Sequence, residues 1–311
     1  MKDVMTDFEP ALAGLGLDDW FDRIEEFTSE EGRFDDIGAD HAAAFIDAGS
    51  SLMVTFESYP EICQYGPERE PRAFSMVRRN GWSCLTILSE GPSWFRDPAL
   101  YEYFDRLQDD GFFDRFDNIL FFGTHAGGYA AAAYSVAAPG ARVLALRPVA
   151  SLDPRVTGWD ERYRSFRRIS FTDRYGFAPD MIEAAAEAWI VFDPSLSEDA
   201  THAALFRRPN VQFLPTRYLG RQVDAALGAF GILPRLIEAA MRGGLDTLEF
   251  ARLFRNRRKS QFYLRTLLRA LEESGHPDLA IRLCEYVLAR KDVPAFAQRL
   301  ERLRARRFEH S

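Results

Sequence analysis

The fold is decided by residues 118–133, Asn118-Ile119-Leu120-Phe121-Phe122-Gly123-Thr124-His125-Ala126-Gly127-Gly128-Tyr129-Ala130-Ala131-Ala132-Ala133. An apolar run, 119–122, enters Gly123, crosses three residues and meets Gly127-Gly128 ahead of an alanine-rich stretch. Apolar strand formers followed at once by alanines mark a strand that reverses into a helix. Small residues on both sides of the turn let strand and helix approach closely, and they leave His125 at its tip. The first amides of the helix have no partners within it, so they favour an anion beside residue 125.

Working outward, short apolar runs at 51–57, 83–88, 118–123, 142–147, 188–193 and 211–215 read as strands rich in Val, Ile, Leu and Phe. That composition suits parallel strands covered on both faces. Helical stretches are expected at 98–109, 128–138 and 180–187. The alternation predicts an α/β protein with a doubly wound, mainly parallel sheet. Upstream, to about Ala48, the chain is acidic and reads as helical and amphipathic, with Trp20, Phe21, Ile24 and Phe27 at helical spacing. Downstream, from about Leu233, it reads as helical throughout, broken at Gly243-Gly244 and Gly275-His276-Pro277. The stretches 263–274 and 277–290 have the spacing of a helical hairpin, similar to one tetratricopeptide-like unit. Three zones follow: 1–48, an acidic helical segment; 49–232, the α/β domain; 233–311, a helical extension.

The turn 123–129 resembles the nucleophile elbow of the α/β-hydrolase superfamily, in particular its serine-hydrolase-like members with a Gly-x-Ser-x-Gly-Gly-Tyr signature. The likeness runs over roughly residues 50–230. It takes in the opening strand 52–57, Gly81-Trp82, Ser151-Leu152-Asp153-Pro154, Val191-Phe192-Asp193-Pro194 and the late Leu219-Gly220 turn. It implies an elbow serine that attacks an acyl carbon, an acid after the strand two beyond the elbow, and a histidine after the last strand. The chain departs from that pattern twice. Position 125 is histidine, and the stretch where the base belongs carries Arg221. The acid is retained as Asp199 or as Asp193 just before it. An elbow imidazole facing a guanidinium cannot run the triad, because arginine stays protonated and is no general base at neutral pH.

Three readings of His125 compete. The elbow is a degenerate one in a pseudohydrolase that binds a ligand or a partner. Alternatively His125 serves an altered hydrolase or transferase chemistry as nucleophile or base, oriented by Asp193 or Asp199, with Arg217 and Arg221 clamping an anionic or acyl substrate. In the third, packing fills the pocket and the elbow is structural. Ser58 or Tyr59, after the first predicted strand, stands where this fold supplies a second oxyanion donor. Ala126 and Tyr129 flank the elbow as candidate substrate contacts. His202, three residues after Asp199, would neighbour it or reach the pocket mouth, although a surface imidazole is the plainer reading. Trp82, Trp94, Phe95 and Trp159 read as core or cap aromatics.

Composition narrows the remaining classes. With 311 residues, 47% hydrophobic and 28% charged, the chain is an ordinary globular protein. A formal charge of −8 argues against nucleic-acid binding. No window of eighteen apolar residues suggests a membrane span, and the start lacks the apolar core of a secretory signal. Three scattered cysteines, Cys63, Cys84 and Cys284, read as reduced thiols, which with the missing signal predicts a cytoplasmic protein. No spacing suggests a metal site, and neither GxxxxGK[ST] nor GxGxxG is present, so no cofactor is expected. Acids dominate the first zone and arginines the last. Both read as solvated helix faces, or as surfaces that meet within one chain or in self-association. The expected partners are a small-molecule or anionic ligand at the elbow and a protein or second copy at the C-terminal helices.

Overall fold

The computed structural model describes residues 10–309. A helix over Leu17–Glu31 opens the fold, with Asp18 and Asp19 complementing the positive end of its dipole. Trp20, Ile24 and Phe27, spaced along one face, are buried. The expected helical segment ends there. The chain then makes two strands, β1 (Gly32–Ile37) and β2 (His41–Ile46), paired antiparallel through a turn at Gly38, whose φ is +66°. Ala42, Ala43 and Ala44 are buried in β2, which is hydrogen-bonded on both sides. Alanine's helix preference is worth only tenths of a kcal/mol per residue, and two full ladders outweigh it.

The six expected strands are all present, each end within one residue of its reading: β3 (Ser51–Ser58), β4 (Ser83–Ser89), β5 (Asn118–Thr124), β6 (Arg142–Leu146), β7 (Glu187–Phe192) and β8 (Val211–Pro215). They join β1 and β2 in one eight-stranded sheet of order β1-β2-β4-β3-β5-β6-β7-β8. From β4 to β8 every pairing is parallel. Alternate residues feed opposite faces, as the pleat requires. Leu120, Phe122, Leu144, Leu146, Trp189 and Val191 pack on one side, Phe121, Val143, Ala145 and Ile190 on the other.

Helices Pro98–Asp109 and Ala126–Tyr134 cover the second face. The first face is covered by Leu17–Glu31, by Arg72–Asn80 and by Leu233–Arg242, which contributes Leu236, Ile237 and Ala240. The helix expected at 180–187 is only a turn, Ala178–Met181, and a 3-10 turn, Ile182–Ala184. There the Ala186 amide donates to Ala141 O and pulls the chain into β7. Beyond Thr247–Phe254, the expected hairpin appears as Gln261–Glu273 and Pro277–Leu288, and Pro294–Glu309 adds a third helix. Among the described residues no helix is long and apolar enough to cross a membrane.

Candidate active site at the elbow

β5 runs into residue 125, which sits at φ +54° and ψ −113°. A non-glycine residue there costs about 1–3 kcal/mol, so the surroundings must impose it. The His125 amide donates to Leu146 O of β6 at 2.8 Å, and its carbonyl accepts from the Tyr129 amide at 3.0 Å. The flanking glycines are a steric requirement. A Cβ on Gly123 would lie 2.0 Å from Gly127 O, and one on Gly127 would lie 2.1 Å from Phe56 O of β3. Strand, turn and helix are pressed backbone to backbone, and the imidazole is left at the carboxyl edge of the sheet, where ligands of such folds bind.

The ring is about a third exposed. Its Nε2 lies 2.6 Å from Tyr163 Oη and its Nδ1 lies 3.8 Å from Glu61 Oε1. Trp94 packs against it at 5.1 Å between ring centroids and touches Tyr163 as well. Glu61 is steadied by Ser58 Oγ, which donates to Oε2 at 3.0 Å. Burial raises the Tyr163 phenol above its ordinary value, against the pull of Arg162 and Arg147. The phenol therefore stays protonated and shares a hydrogen bond with Nε2, while Nδ1 faces the Glu61 carboxylate. A cavity of about 620 Å³ opens beside this group, lined by Arg72, Arg147, Arg162, Tyr163 and Arg221. A smaller one, about 150 Å³, lies on another side, against Ser58, Trp94 and Ala126.

The residues singled out in the sequence are only partly brought together. Asp193 follows β7, but it is fully buried. It accepts from Ser195 N at 2.9 Å, from Ser195 Oγ at 2.6 Å and from Gly220 N at 2.7 Å. Its carboxylate ties the loop after β7 to the loop after β8. Asp199, on the helix Ser197–Leu205, pairs with Arg147 Nε at 2.8 Å and Arg162 Nη1 at 2.5 Å, behind the cavity wall. Burial pushes its carboxyl up, yet the two guanidinium groups hold it below the ordinary range. Arg221 is exposed at the large cavity, and its carbonyl accepts from the Arg147 guanidinium. Its own guanidinium has no ion pair among the described residues. Arg217 lies over the Tyr218 ring, away from the cavity lining. Tyr59 turns inward and donates to Leu15 O at 2.9 Å. Tyr129, fully buried, donates to Tyr175 O at 2.6 Å.

His202 is no surface residue. It is buried, with Nε2 3.0 Å from Asp160 Oδ2 and Nδ1 accepting from the Ala150 amide at 3.1 Å. The loop after β6 folds over its helix, and Trp159, 42% exposed and not a core aromatic, covers the ring at a centroid distance of 4.7 Å. Burial lowers the His202 imidazole below its ordinary value, against the attraction of Asp160. Burial raises Asp160 in turn, but Arg162 and His202 bring it down to about 2. Glu61, Arg72, Arg147, Tyr163 and Arg162 were not anticipated. Only Arg147, directly after a strand, stood where such a sheet places its working residues; the others reach the cavity by contacts that no local pattern encodes.

No protein-family model matches the chain, and no curated protein does. Solved structures resemble it distantly. They include FphF, a fluorophosphonate-binding serine hydrolase of Staphylococcus aureus, with a TM-score of 0.44 and 13% identity over 65% of this chain and 92% of that one. A capsule O-acetyltransferase of Neisseria meningitidis serogroup A gives 0.40 and 10% over 63% and 91%. The carboxylesterase EstE1, cloned from a metagenomic library, gives 0.40 and 15% over 74% and 99%. The strand order, the antiparallel pair at one edge and the strained turn after β5 settle the architecture without them. This chain has an α/β-hydrolase-like fold, with the imidazole of His125 at the strained turn that follows β5.

Proposed function

We propose that the protein is a pseudohydrolase that binds a small anionic ligand in the arginine-lined cavity and cleaves no ester at the elbow. One observation carries this reading: the acid after β7, Asp193, is spent on Ser195 and Gly220, while the elbow imidazole faces Tyr163 and Glu61. No hydroxyl, imidazole and carboxylate line up across the positions that the triad would use. Arg221 supplies the cavity's uncompensated guanidinium, and guanidinium forks suit carboxylate, sulfate and phosphate. The test is a melting-temperature titration with phosphate, sulfate and a dicarboxylate. Saturable stabilisation by one of them should fall at least tenfold in apparent affinity in Arg221→Ala. Equal affinity in the variant would refute the reading, as would an acyl or phosphoryl adduct found on residue 125.

A second reading keeps the elbow active through different partners. The 2.6 Å contact between Tyr163 Oη and His125 Nε2, with Glu61 near Nδ1, is itself a hydroxyl–imidazole–carboxylate series. It replaces the expected pairing of His125 with Asp193 or Asp199. Turnover of a phosphoryl or acyl ester that vanishes in both Tyr163→Phe and His125→Ala would favour it.

A further inference from the structure

β2 is antiparallel to its neighbours in the sheet, so its first residue, His41, lies at the carboxyl edge, opposite Ser89, the last residue of β4. The loop that leaves β4 returns to the same place. His41 Nε2 lies 2.7 Å from Ser93 Oγ, and its Nδ1 lies 3.7 Å from Asp97 Oδ2. Serine hydroxyl, imidazole and carboxylate thus follow one another on the ligand-binding edge of the sheet, outside the elbow. Ser93 lines the 150 Å³ cavity that also touches His125, whereas the His41 ring is buried.

The Ser89 hydroxyl donates to Gly91 O, so it can only accept from Ser93, at 3.3 Å. The Phe95 amide donates to Ser93 Oγ at 3.1 Å. At 2.7 Å, His41 Nε2 is the nearer neighbour of Ser93 Oγ, and Nδ1 is the ring atom that faces Asp97. That Nδ1 is buried with no hydrogen-bond partner among the described residues. Asp97 is fixed by a second duty, because its Oδ1 caps the helix Pro98–Asp109 by accepting from the Ala99 amide at 2.8 Å. The residues after the serine, Trp94 and Phe95, both stand at φ +56°, two consecutive non-glycine residues in the left-handed region. Strain of about 1–3 kcal/mol per residue persists only where the surroundings impose it, and it gathers at sites that bind or react.

We propose that Ser93, His41 and Asp97 form a second acyl-transfer site, with Ser93 as nucleophile, His41 as base and Asp97 as the positioning carboxylate, acting on esters of short acyl groups. The cavity sets the class. At roughly five times the volume of a liquid water molecule it holds an acyl group of two to four carbons. Its walls, Pro60, Pro92, Trp94 and Phe166, are apolar where such a chain would lie. Ser93 Oγ bonds to the acyl carbon as its proton passes to His41 Nε2. The ester C–O bond then breaks, and the leaving alkoxide takes that proton. Water attacks the acyl-serine, gives a proton through His41 back to Ser93 Oγ, and the carboxylic acid departs. Burial holds the His41 imidazole below its ordinary value, against Asp97 and Asp40, so it is an unprotonated base at neutral pH.

The test uses p-nitrophenyl acetate with acid quenching and peptide mass spectrometry. An acetyl group is expected on Ser93, absent in Ser93→Ala and retained in Ser274→Ala, on the far helical hairpin. His41→Gln should slow acetylation at least 100-fold. Asp97→Asn keeps a residue that caps helices well; it should slow acetylation about tenfold and shift the midpoint of its pH profile. If His41→Gln fails to fold, the Ser93 and Asp97 variants decide. No acetyl group on Ser93 overturns the proposal, as does an acetylation rate and pH profile unchanged in Asp97→Asn. An adduct on residue 125 would instead tell against the pseudohydrolase reading, so the two fail separately.

Discussion

At the scale of single residues, this sheet edge is governed by which groups are forced to be neutral. Glu57, at the end of β3, is buried, and both its oxygens face the Arg72 amide, at 3.1 and 3.2 Å. Burial raises its carboxyl to about 7 from 4.5, against Arg72. The folded chain then binds this proton more tightly than the unfolded one. The contribution to stability is complete below pH 4.5 and is lost as the pH rises through 7, roughly 3 kcal/mol in all. Glu57→Gln keeps an acceptor for the Arg72 amide and cannot ionise. It should flatten the stability profile between pH 5 and 8 and exceed the native chain at pH 8, by urea unfolding at each pH. A variant whose pH dependence matches the native one would show that Glu57 is ionised in the fold.

At the scale of elements, the loop between β6 and the turn Ala178–Met181 is fastened by charge. Asp160 accepts from His202, and Arg162 spans Asp160 and Asp199. Removing one member of such a group leaves partners buried and unpaired, at a cost of about 3–5 kcal/mol. Asp160→Ala should therefore lower the melting temperature by about 10 °C and open residues 158–177 to limited proteolysis. A change under 2 °C would mean that the network is incidental. Acid acts on the same joint. With its folded value lowered, the neutral imidazole of His202 contributes stability present above pH 6.5, which drains away as the pH falls. What the sequence made legible divides along this line. The six parallel strands and the tight turn after β5 were readable because each is a local pattern of apolar runs and obligatory glycines. β1 and β2 were not, since acids and alanines carry no strand signal and only the neighbouring ladder makes them strands. Among site residues, position 125 was visible in its motif. The burial of His202, the diversion of Asp193 and the approach of Glu61 and Tyr163 depend on how loops cross, which spacing along the chain does not record.

At the scale of the whole molecule, the C-terminal helices do not share one role. Leu233–Arg242 lies on β5 and β6 and belongs to the core that holds Leu120, Leu144 and Trp189. Its last turn and the connection beyond it are tied in as well, since Arg142 Nη1 donates to Met241 O at 2.8 Å and Trp189 Nε1 to Leu245 O at 2.6 Å. The last three helices pack chiefly on one another, with Tyr263, Leu264 and Leu268 reaching the shared core. Each large apolar side chain so buried is worth about 1.5–3 kcal/mol. A chain ending at residue 259 forfeits a few such contacts but keeps the sheet covered. It should fold with the same far-ultraviolet strand signal, a lower melting temperature and the same anion affinity at Arg221. A chain ending at residue 232 exposes one face of β5 to β7 and leaves the Trp189 indole without its acceptor, so it should be insoluble or molten. Should the longer truncation unfold too, the last helices would be part of the folding core; should the shorter chain fold and bind, the sheet would need no cover from Leu233–Arg242.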